Sequence, residues 1–275
     1  YQFEVSWSTP RLFDTDNALS TTAFGRDYAS FNVPLGIERR IGSEITWAKP
    51  LASVPNTSFS LGLKGENVRV RDAASDRGLE RFGITRDQYG ELLGKGTFVS
   101  LTPTVAYDTR DNRFDPQSGW FNTLSSMGAL GMGGSDSYGT LVANVRRYFK
   151  VNDNVSLALN AQAGSNVIGE MPTFNMFRLG GAYSVRGYQE GGLGIGKGFL
   201  IGSAEIRSKL PFLEQYSAKV PFLDSVRLAA FADAGSLIGE SRVNDLFDRD
   251  GYGYSVGLGL RVNIPGLGPI RVDYA

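Results

Sequence analysis

Apolar and polar residues alternate with a period of two along most of this chain, in segments about ten residues long, as in strands that cross a membrane. The clearest segment lies near the end of the sequence. One of its faces carries Tyr254, Val256, Leu258, Leu260, Val262 and Ile264, and the other carries Ser255, Gly257, Gly259, Arg261 and Asn263. Because successive side chains of a strand point to opposite faces, such a strand is apolar on one side and polar on the other.

The same pattern predicts about twelve strands. They are expected near residues 1–8, 15–25, 36–48, 57–71, 96–109, 118–130, 138–150, 153–165, 198–210, 225–236, 252–264 and 268–275. Tight connections such as Val151-Asn152-Asp153 and Pro265-Gly266-Leu267-Gly268 contrast with long ones at 72–95, 166–197 and 237–251. A short helix is expected within 72–95. Short turns at one end and long loops at the other are typical of an all-β transmembrane antiparallel β-barrel, which we predict for residues 1–275.

A soluble β-sandwich or small-ligand barrel also alternates, but with its apolar face inside. About twelve strands of that kind would need a large dry core. The faces opposite the apolar ones are rich in Gly, Ser, Arg and Asn, which suits a wet lumen. The sequence therefore favours the membrane barrel.

The composition of the chain excludes several kinds of membrane span, catalytic group and metal site. The chain has 275 residues with 35 Gly, and none of its segments approaches the roughly 18 uninterrupted apolar residues of a membrane-spanning helix. It has no Cys and no His, which removes thiol nucleophiles, zinc-thiolate sites and the commonest general base. The 28 basic and 28 acidic residues give a net charge of zero, so no nucleic-acid partner is expected. We expect no catalytic residues, no enzymatic reaction, no cofactor and no metal.

The most informative motifs lie in the long connection at 166–197. Phe177, Gly180 and Gly181 belong to a Phe-Arg-Leu-Gly-Gly stretch, which is followed by Val185-Arg186-Gly187-Tyr188. Other motifs are Tyr107-Asp108-Thr109-Arg110-Asp111-Asn112, Pro116-Gln117-Ser118-Gly119-Trp120 and the ending Gly268-Pro269-Ile270-Arg271-Val272-Asp273-Tyr274-Ala275. In this order they resemble the BamA superfamily of outer-membrane barrels, and the ending is similar to cyanobacterial and chloroplast-envelope members.

The resemblance implies a lumenal lid loop at about 166–197 whose tip, Val185-Arg186-Gly187-Tyr188, folds back into the barrel. It also implies that Arg186 meets acidic side chains on the lumen wall, and the matching positions are Glu205 and Asp233. Alternation independently turns Glu205 and Asp233 toward the polar face. Complete barrels of the superfamily have sixteen strands and follow soluble repeat domains. We therefore expect the first strands, the last strand and the upstream repeat domains to lie outside this chain, although a genuine twelve-stranded barrel is also permitted.

Other sequence patterns point to no reaction. The Gly-rich stretch 191–198 nearly spells a phosphate-binding loop, but Gly198 lacks the hydroxyl that binds magnesium and a strand follows where a helix is required. Asp248-Arg249-Asp250-Gly251 resembles a calcium loop whose first and closing carboxylates are missing. Asp108, Asp111 and Asp115 could in principle pair as acid and base or bind a cation at a turn, but turn chemistry explains them without any reaction.

The resemblance implies a protein of an outer membrane, in a Gram-negative-type or cyanobacterial cell or an organellar envelope, that inserts or translocates other proteins without a chemical step. The expected partners are outer-membrane lipid, unfolded client proteins and accessory subunits of an assembly or translocation complex. Two alternatives stay open. One is a two-partner secretion pore that exports one large extracellular protein, and the other, from a different class, is a passive diffusion porin.

Overall fold

The computed structural model describes residues 1–210, 223, 225–264 and 268–275. Its architecture is one antiparallel sheet of thirteen strands. In chain order the strands are β1 (Gln2–Thr9), β2 (Ala18–Ala29), β3 (Gly36–Pro50), β4 (Thr57–Asp72), β5 (Gly94–Asp108), β6 (Gly119–Met132), β7 (Tyr138–Lys150), β8 (Val155–Gly169), β9 (Phe177–Leu179), β10 (Gly194–Lys209), β11 (Arg227–Glu240), β12 (Tyr252–Ile264) and β13 (Gly268–Tyr274). The fold is all-β, as predicted.

Each of the predicted strands is present, and each long strand pairs with its neighbours in sequence from β1 to β13. The short strand β9 was not predicted; it pairs with the first residues of β10. Among the described strands β1 and β13 form the two edges of the sheet. The predicted turn at Pro265-Gly266-Leu267-Gly268 falls largely on 265–267, which lie outside the described residues.

The two faces of the sheet differ as the alternation predicts. On β12 the outer face exposes Val256, Leu258 and Leu260, with 72%, 59% and 44% of their surface accessible. Arg261, on the inner face, keeps only 13% of its side chain accessible because it forms an ion pair with Asp273 of β13. An exposed apolar outer face and a polar, paired inner face are the signature of a barrel wall in lipid. None of the helices in the described ranges is long and apolar enough to cross a membrane.

The sheet is curved, because side chains from distant strands meet inside it. Asp115, in the β5–β6 connection, forms an ion pair with Arg227 of β11 at 2.7 Å. In a flat sheet β6 and β11 would be roughly 19 Å apart, at about 4.8 Å per strand. The wall therefore wraps around a lumen.

The long connections β4–β5, β8–β10 and β11–β12 gather at one end of the lumen, which we call the long-loop end. The first and last of them carry the short helices α1 (Asp76–Arg81), α2 (Arg86–Gly90) and α3 (Arg242–Leu246). The helix expected within 72–95 is thus a pair of helices, and both begin at a side-chain cap. Ser75 Oγ accepts a hydrogen bond from the Gly78 amide, and Thr85 forms a reciprocal capping box with Gln88. These caps satisfy amides that short helices otherwise leave unpaired.

An apolar core lies at this end of the lumen, and we call it the loop cluster. Its buried members come from the long connections and from the inner faces of strands. They are Val33, Val68, Val70, Leu79, Ile84, Tyr89, Leu92, Phe98, Ala129, Tyr138, Met171, Phe174, Ile195, Val243 and Phe247. Because loops and wall residues share one core, the long-loop end of the described sheet is covered.

Candidate functional site

The lid loop of the structure runs from residue 170 to residue 193, between β8 and β10. It is shorter than the predicted 166–197 because β8 continues to Gly169 and β10 begins at Gly194. β9 lies within it, and Phe177 packs against Phe199 of the wall with ring centroids 5.0 Å apart and ring planes tilted by 59°. The start of the lid loop is therefore attached to the strand that follows it.

The chain reverses direction after β9. Gly180 and Gly181 have φ values of +97° and +111°, which disfavour other residues. A side chain at position 180 would also lie 2.7 Å from the carbonyl oxygen of Gln189. Val185 then turns inward and is fully buried in a small apolar core with Leu179, Leu193, Phe199, Ile201 and Leu237. This core fixes the residue that precedes Arg186.

The Arg186 side chain reaches both predicted acids on the lumen wall. Its Nε and Nη2 donate to the two carboxylate oxygens of Asp233 at 2.6 and 2.7 Å, and its Nη1 donates to Glu205 at 2.6 Å. Its guanidinium carbon lies 3.4 Å from the ring centroid of Phe231. The planar fork of Arg suits such two-way pairing, because its donors diverge in one plane. Only 8% of the side chain is accessible.

Strand register explains why the wall presents these groups together. Ser203 lies opposite Asp233, and Glu205 lies opposite Phe231, across the β10–β11 pair. Ser203 Oγ donates to Asp233 at 2.6 Å and accepts from Arg186 Nη2 at 3.2 Å. One guanidinium therefore spans two adjacent cross-strand pairs.

The two acids differ in their remaining partners. Glu205 also accepts hydrogen bonds from Arg207 at 2.8 Å and from Arg261 at 2.6 Å. Asp233 has the Arg186 side chain, the Arg186 amide at 3.2 Å and Ser203. Burial by itself would lower the pKa of Arg186, but its hydrogen bonds to Asp233 and Glu205 outweigh this and raise that pKa above its usual value. The guanidinium is therefore permanently charged.

The residues that follow Arg186 complete the tip of the lid loop. Gly187 has a φ of +87°, and a side chain there would lie 3.1 Å from Ala275. Tyr188 is 39% exposed, and its hydroxyl donates to the Tyr254 carbonyl at 3.2 Å. The tip thus contacts the wall on β10, β11 and β12.

The lumen wall near β13 also contacts the lid loop. Arg271 donates to the Ala182 carbonyl at 2.6 Å, and its guanidinium lies 4.9 Å from the ring centroid of Tyr183. Asp273 lies 3.8 Å from Arg186. Arg271 and Asp273 therefore face the lumen.

A second attachment holds the lid loop to the opposite wall. Arg40 of β3 donates to the Phe174 carbonyl at 2.7 Å, while its other nitrogens pair with Glu38 and Glu66. Asn32 donates to the carbonyls of Thr173 and Met176 at 2.9 and 3.1 Å. Since β3 and β10 are six strand positions apart, the lid loop crosses the lumen from wall to wall.

The remaining polar candidates are engaged separately. Asp108 pairs with Arg110 at 2.8 Å, and Asp111 accepts the amides of Gln117 and Ser118 at the β5–β6 turn. Asp115 pairs with Arg227 instead, so the structure does not bring the three aspartates together. Gly198 lies in β10 and pairs with Ser165 of β8. A strand therefore stands where a phosphate-binding loop needs a helix. Within the described ranges, no three His, Cys, Asp or Glu residues are placed to hold a metal ion.

Several contributors to the site were not assigned a role from the sequence. Ser203 and Phe231 lie on the predicted inner faces, but their contacts with Arg186 depend on the register between β10 and β11. Arg40 and Asn32 are far from the motif in sequence and meet the lid loop only through the curvature of the sheet. No local sequence signal marks these two residues.

Comparisons with known proteins agree with this architecture. A family model described as the Omp85 superfamily domain matches residues 1–275. Outer envelope protein 80, chloroplastic, from Oryza sativa subsp. japonica is 28% identical over 247 residues, which cover 86% of this chain and 33% of that protein. Outer membrane protein assembly factor BamA from Nitratidesulfovibrio vulgaris is 26% identical over 192 residues, covering 68% of this chain and 22% of that protein.

Among solved structures, BamA from Haemophilus ducreyi lacking POTRA domains 1–3 has a TM-score of 0.72 at 18% identity. The match covers 99% of this chain and 57% of that chain. At this identity the likeness establishes the fold. The chain spans about a third or less of the two curated relatives named above.

Proposed function

The chain belongs to the Omp85 superfamily, and on this basis we propose that the protein containing it inserts other polypeptides into an outer membrane, or translocates them across it, without a chemical step. The motifs predicted the superfamily, a barrel fold and an outer-membrane location. The relatives of this chain share all three. The name of the Nitratidesulfovibrio relative, outer membrane protein assembly factor, points in the same direction.

The observation that carries this proposal is the lid loop attached at both walls of the lumen. Arg186 binds β10 and β11, and Arg40 of β3 binds the turn around Phe174. A segment held in this way occupies the path that a freely diffusing solute would take. A passive porin needs an open, wet lumen and gains nothing from such a segment.

The loop cluster favours insertion into the membrane over export through the lumen. An exported chain must leave through the long-loop end, where the inner faces of β4 and β5 pack against the lid loop, the helical loop before β5 and α3. Opening that end would expose a packed apolar core to water, which is unfavourable. Export by a two-partner secretion pore is therefore the second candidate, and it requires that the loop cluster come apart.

Client proteins, accessory subunits and surrounding lipid are the partners that this function requires. The lipid-facing wall and the lid loop, both within residues 1–275, are the parts of the machine that this chain supplies. Further strands and upstream repeat domains in the intact protein stay a prediction, which the sequence of the complete gene tests.

Insertion of an unfolded barrel client into liposomes tests the proposal. Liposomes containing the full-length protein should acquire folded, protease-protected client faster than protein-free liposomes. The matched control is full-length protein inactivated by heat before reconstitution, at the same protein-to-lipid ratio. Equal rates in all three samples, with orientation verified by protease, would refute the insertion function.

A further inference from the structure

Three basic side chains stand in one cross-strand row on the outer face of the wall. Arg39 of β3 lies opposite Arg69 of β4, and Arg69 lies opposite Lys95 of β5. All three are exposed, and all point away from the lumen, since their strand neighbours Glu38, Val68 and Gly96 are buried on the inner side. Directly opposite residues have Cβ atoms about 5 Å apart, so three positive charges share a short stretch of surface.

None of the carboxylates that the structure describes neutralises this row. Asp27 of β2 continues the row beside Arg39, but its carboxylate pairs with Arg71 at 3.1 Å. In the part of the chain that the structure describes, Arg39, Arg69 and Lys95 form no ion pair. Like charges placed directly opposite on neighbouring strands destabilise a sheet. Such a row is tolerable where an anion from outside the chain lies over it.

The position of the row identifies the surroundings of that anion. Arg39, Arg69 and Lys95 lie at the long-loop ends of their strands. Along the same outer face, toward the other end, the exposed side chains become apolar. These residues are Ile41 and Ile45 of β3, Leu63 of β4, and Val99 and Leu101 of β5. The row thus borders the apolar band, at the level where lipid headgroups meet the barrel.

We propose that Arg39, Arg69 and Lys95 form a binding site for the phosphate-bearing headgroup of an anionic membrane lipid, in the leaflet at the long-loop end. A phosphate group offers several acceptor oxygens, which the forked donors of Arg39 and Arg69 can share while Lys95 adds a point charge. The apolar side chains beside the row would contact the acyl chains of the same lipid. This continuity with the apolar band favours a lipid over free phosphate.

Lipid retention in nanodiscs tests the site. The full-length protein is placed in phosphatidylcholine nanodiscs with or without a minor fraction of phosphatidylglycerol, and the bound lipid is counted by native mass spectrometry. The wild type should retain phosphatidylglycerol and unfold at a higher temperature in its presence. Replacing all three residues (R39Q, R69Q and K95Q) should weaken this association by roughly a hundredfold, because each basic side chain near an anionic lipid surface contributes about a fivefold gain.

The control is a variant that loses the same charge elsewhere, in which the exposed residues Arg11, Arg77 and Arg81 become Gln. This variant should retain phosphatidylglycerol like the wild type, and so should Arg69→Lys, whereas Arg69→Gln alone should lose part of the retention. Unchanged retention in the triple row variant would overturn the proposal. An equal loss of phosphatidylglycerol in the control variant would also overturn it, because net charge alone would then explain the retention. An equal rise in unfolding temperature with inorganic phosphate alone would overturn the lipid assignment.

Discussion

At the scale of single residues, Arg186 pairs with two carboxylates, and one of them has more alternative partners than the other. Glu205 keeps two other arginines, Arg207 and Arg261, when Arg186 is removed. Among the described residues, the Ser203 hydroxyl is the one side-chain partner that Asp233 keeps. A buried charge that loses its partner costs more than an exposed one, because water cannot replace the lost interaction. Asp233 is therefore the residue that Arg186 neutralises.

This inequality predicts an asymmetric rescue. Arg186→Ala should lower the free energy of unfolding by about 3–5 kcal/mol, as for a broken buried ion pair. Adding Asp233→Asn should recover part of that loss, since it removes the uncompensated charge. Adding Glu205→Gln should recover none, because it deprives Arg207 of its carboxylate and leaves Arg261 with Asp273 alone. Urea unfolding from liposomes measures all three.

Arg113→Ala is the matched control for that series. Arg113 is 82% exposed and lies 3.8 Å from Asp108, so its removal should cost about 0–1 kcal/mol. Equal rescue by the two acid substitutions would contradict the assignment of Asp233 as the dependent partner.

The residues that meet Arg186 were predictable only in part. The motif resemblance named Glu205 and Asp233, and alternation placed both on the inner face. Phe231 and Ser203 share that face, but only the strand register shows that both lie next to the guanidinium. Register depends on pairing between residues distant in sequence, and one sequence does not record it.

At the scale of elements, two separate sets of contacts hold the lid loop to the wall. The tip is held through Arg186, and the turn Thr173–Asn175 is held through Arg40 and Asn32. Phe174 also packs in the loop cluster, 6.3 Å from Phe98 between ring centroids. Because different walls hold the two parts, they should open independently.

Arg40→Met therefore has a local expected effect. It removes the donor to the Phe174 carbonyl and should speed amide hydrogen exchange in residues 173–176, while residues 184–188 keep their protection. Arg26→Met is the control, because Arg26 faces the same lumen chamber and pairs with Glu4 without touching the lid loop. Faster exchange in both segments of the Arg40 variant would show that the attachments open together.

The long strands were predictable because lipid on one side and a wet lumen on the other impose strict alternation. Their extensions were not. β8, β10 and β11 continue beyond the alternating segments, where Gly198 pairs with Ile238 and Gly196 with Glu240. Beyond the membrane both faces can meet water or loops, so the pattern weakens while the backbone pairing continues. The short strand β9 exists only because it adds to this extension.

At the scale of the whole molecule, the feature most open to measurement is which side of the wall faces lipid and which faces the lumen. A charge placed on the lipid face should destabilise the barrel, whereas a charge on the lumen face has water and partners. Leu258→Arg should lower the free energy of unfolding by about 2–4 kcal/mol if the site lies near the bilayer midplane. Thr22→Arg, on the inner face of β2 in the polar chamber that Glu4 and Glu44 also line, is the comparison.

Spin labels at positions 258 and 261 give an independent measure of the same orientation. A lipid-soluble relaxation agent should reach the label at 258 more readily than the label at 261, since Leu258 is exposed on the outer face and Arg261 is paired inside. Greater lipid exposure at 261 than at 258 would show that the two faces of β12 are wrongly assigned and would contradict the membrane barrel.

Conductance across a planar bilayer tests most directly the central claim that the lumen is occupied by a lid loop held at both walls. The wild-type protein should show a narrow, fluctuating conductance, because Arg186 and Arg40 keep the lid loop across the lumen. The double variant Arg186→Ala with Arg40→Met should open wider and for longer, since both attachments are lost. A wide, steady conductance in the wild type, unchanged in the double variant, would contradict the claim.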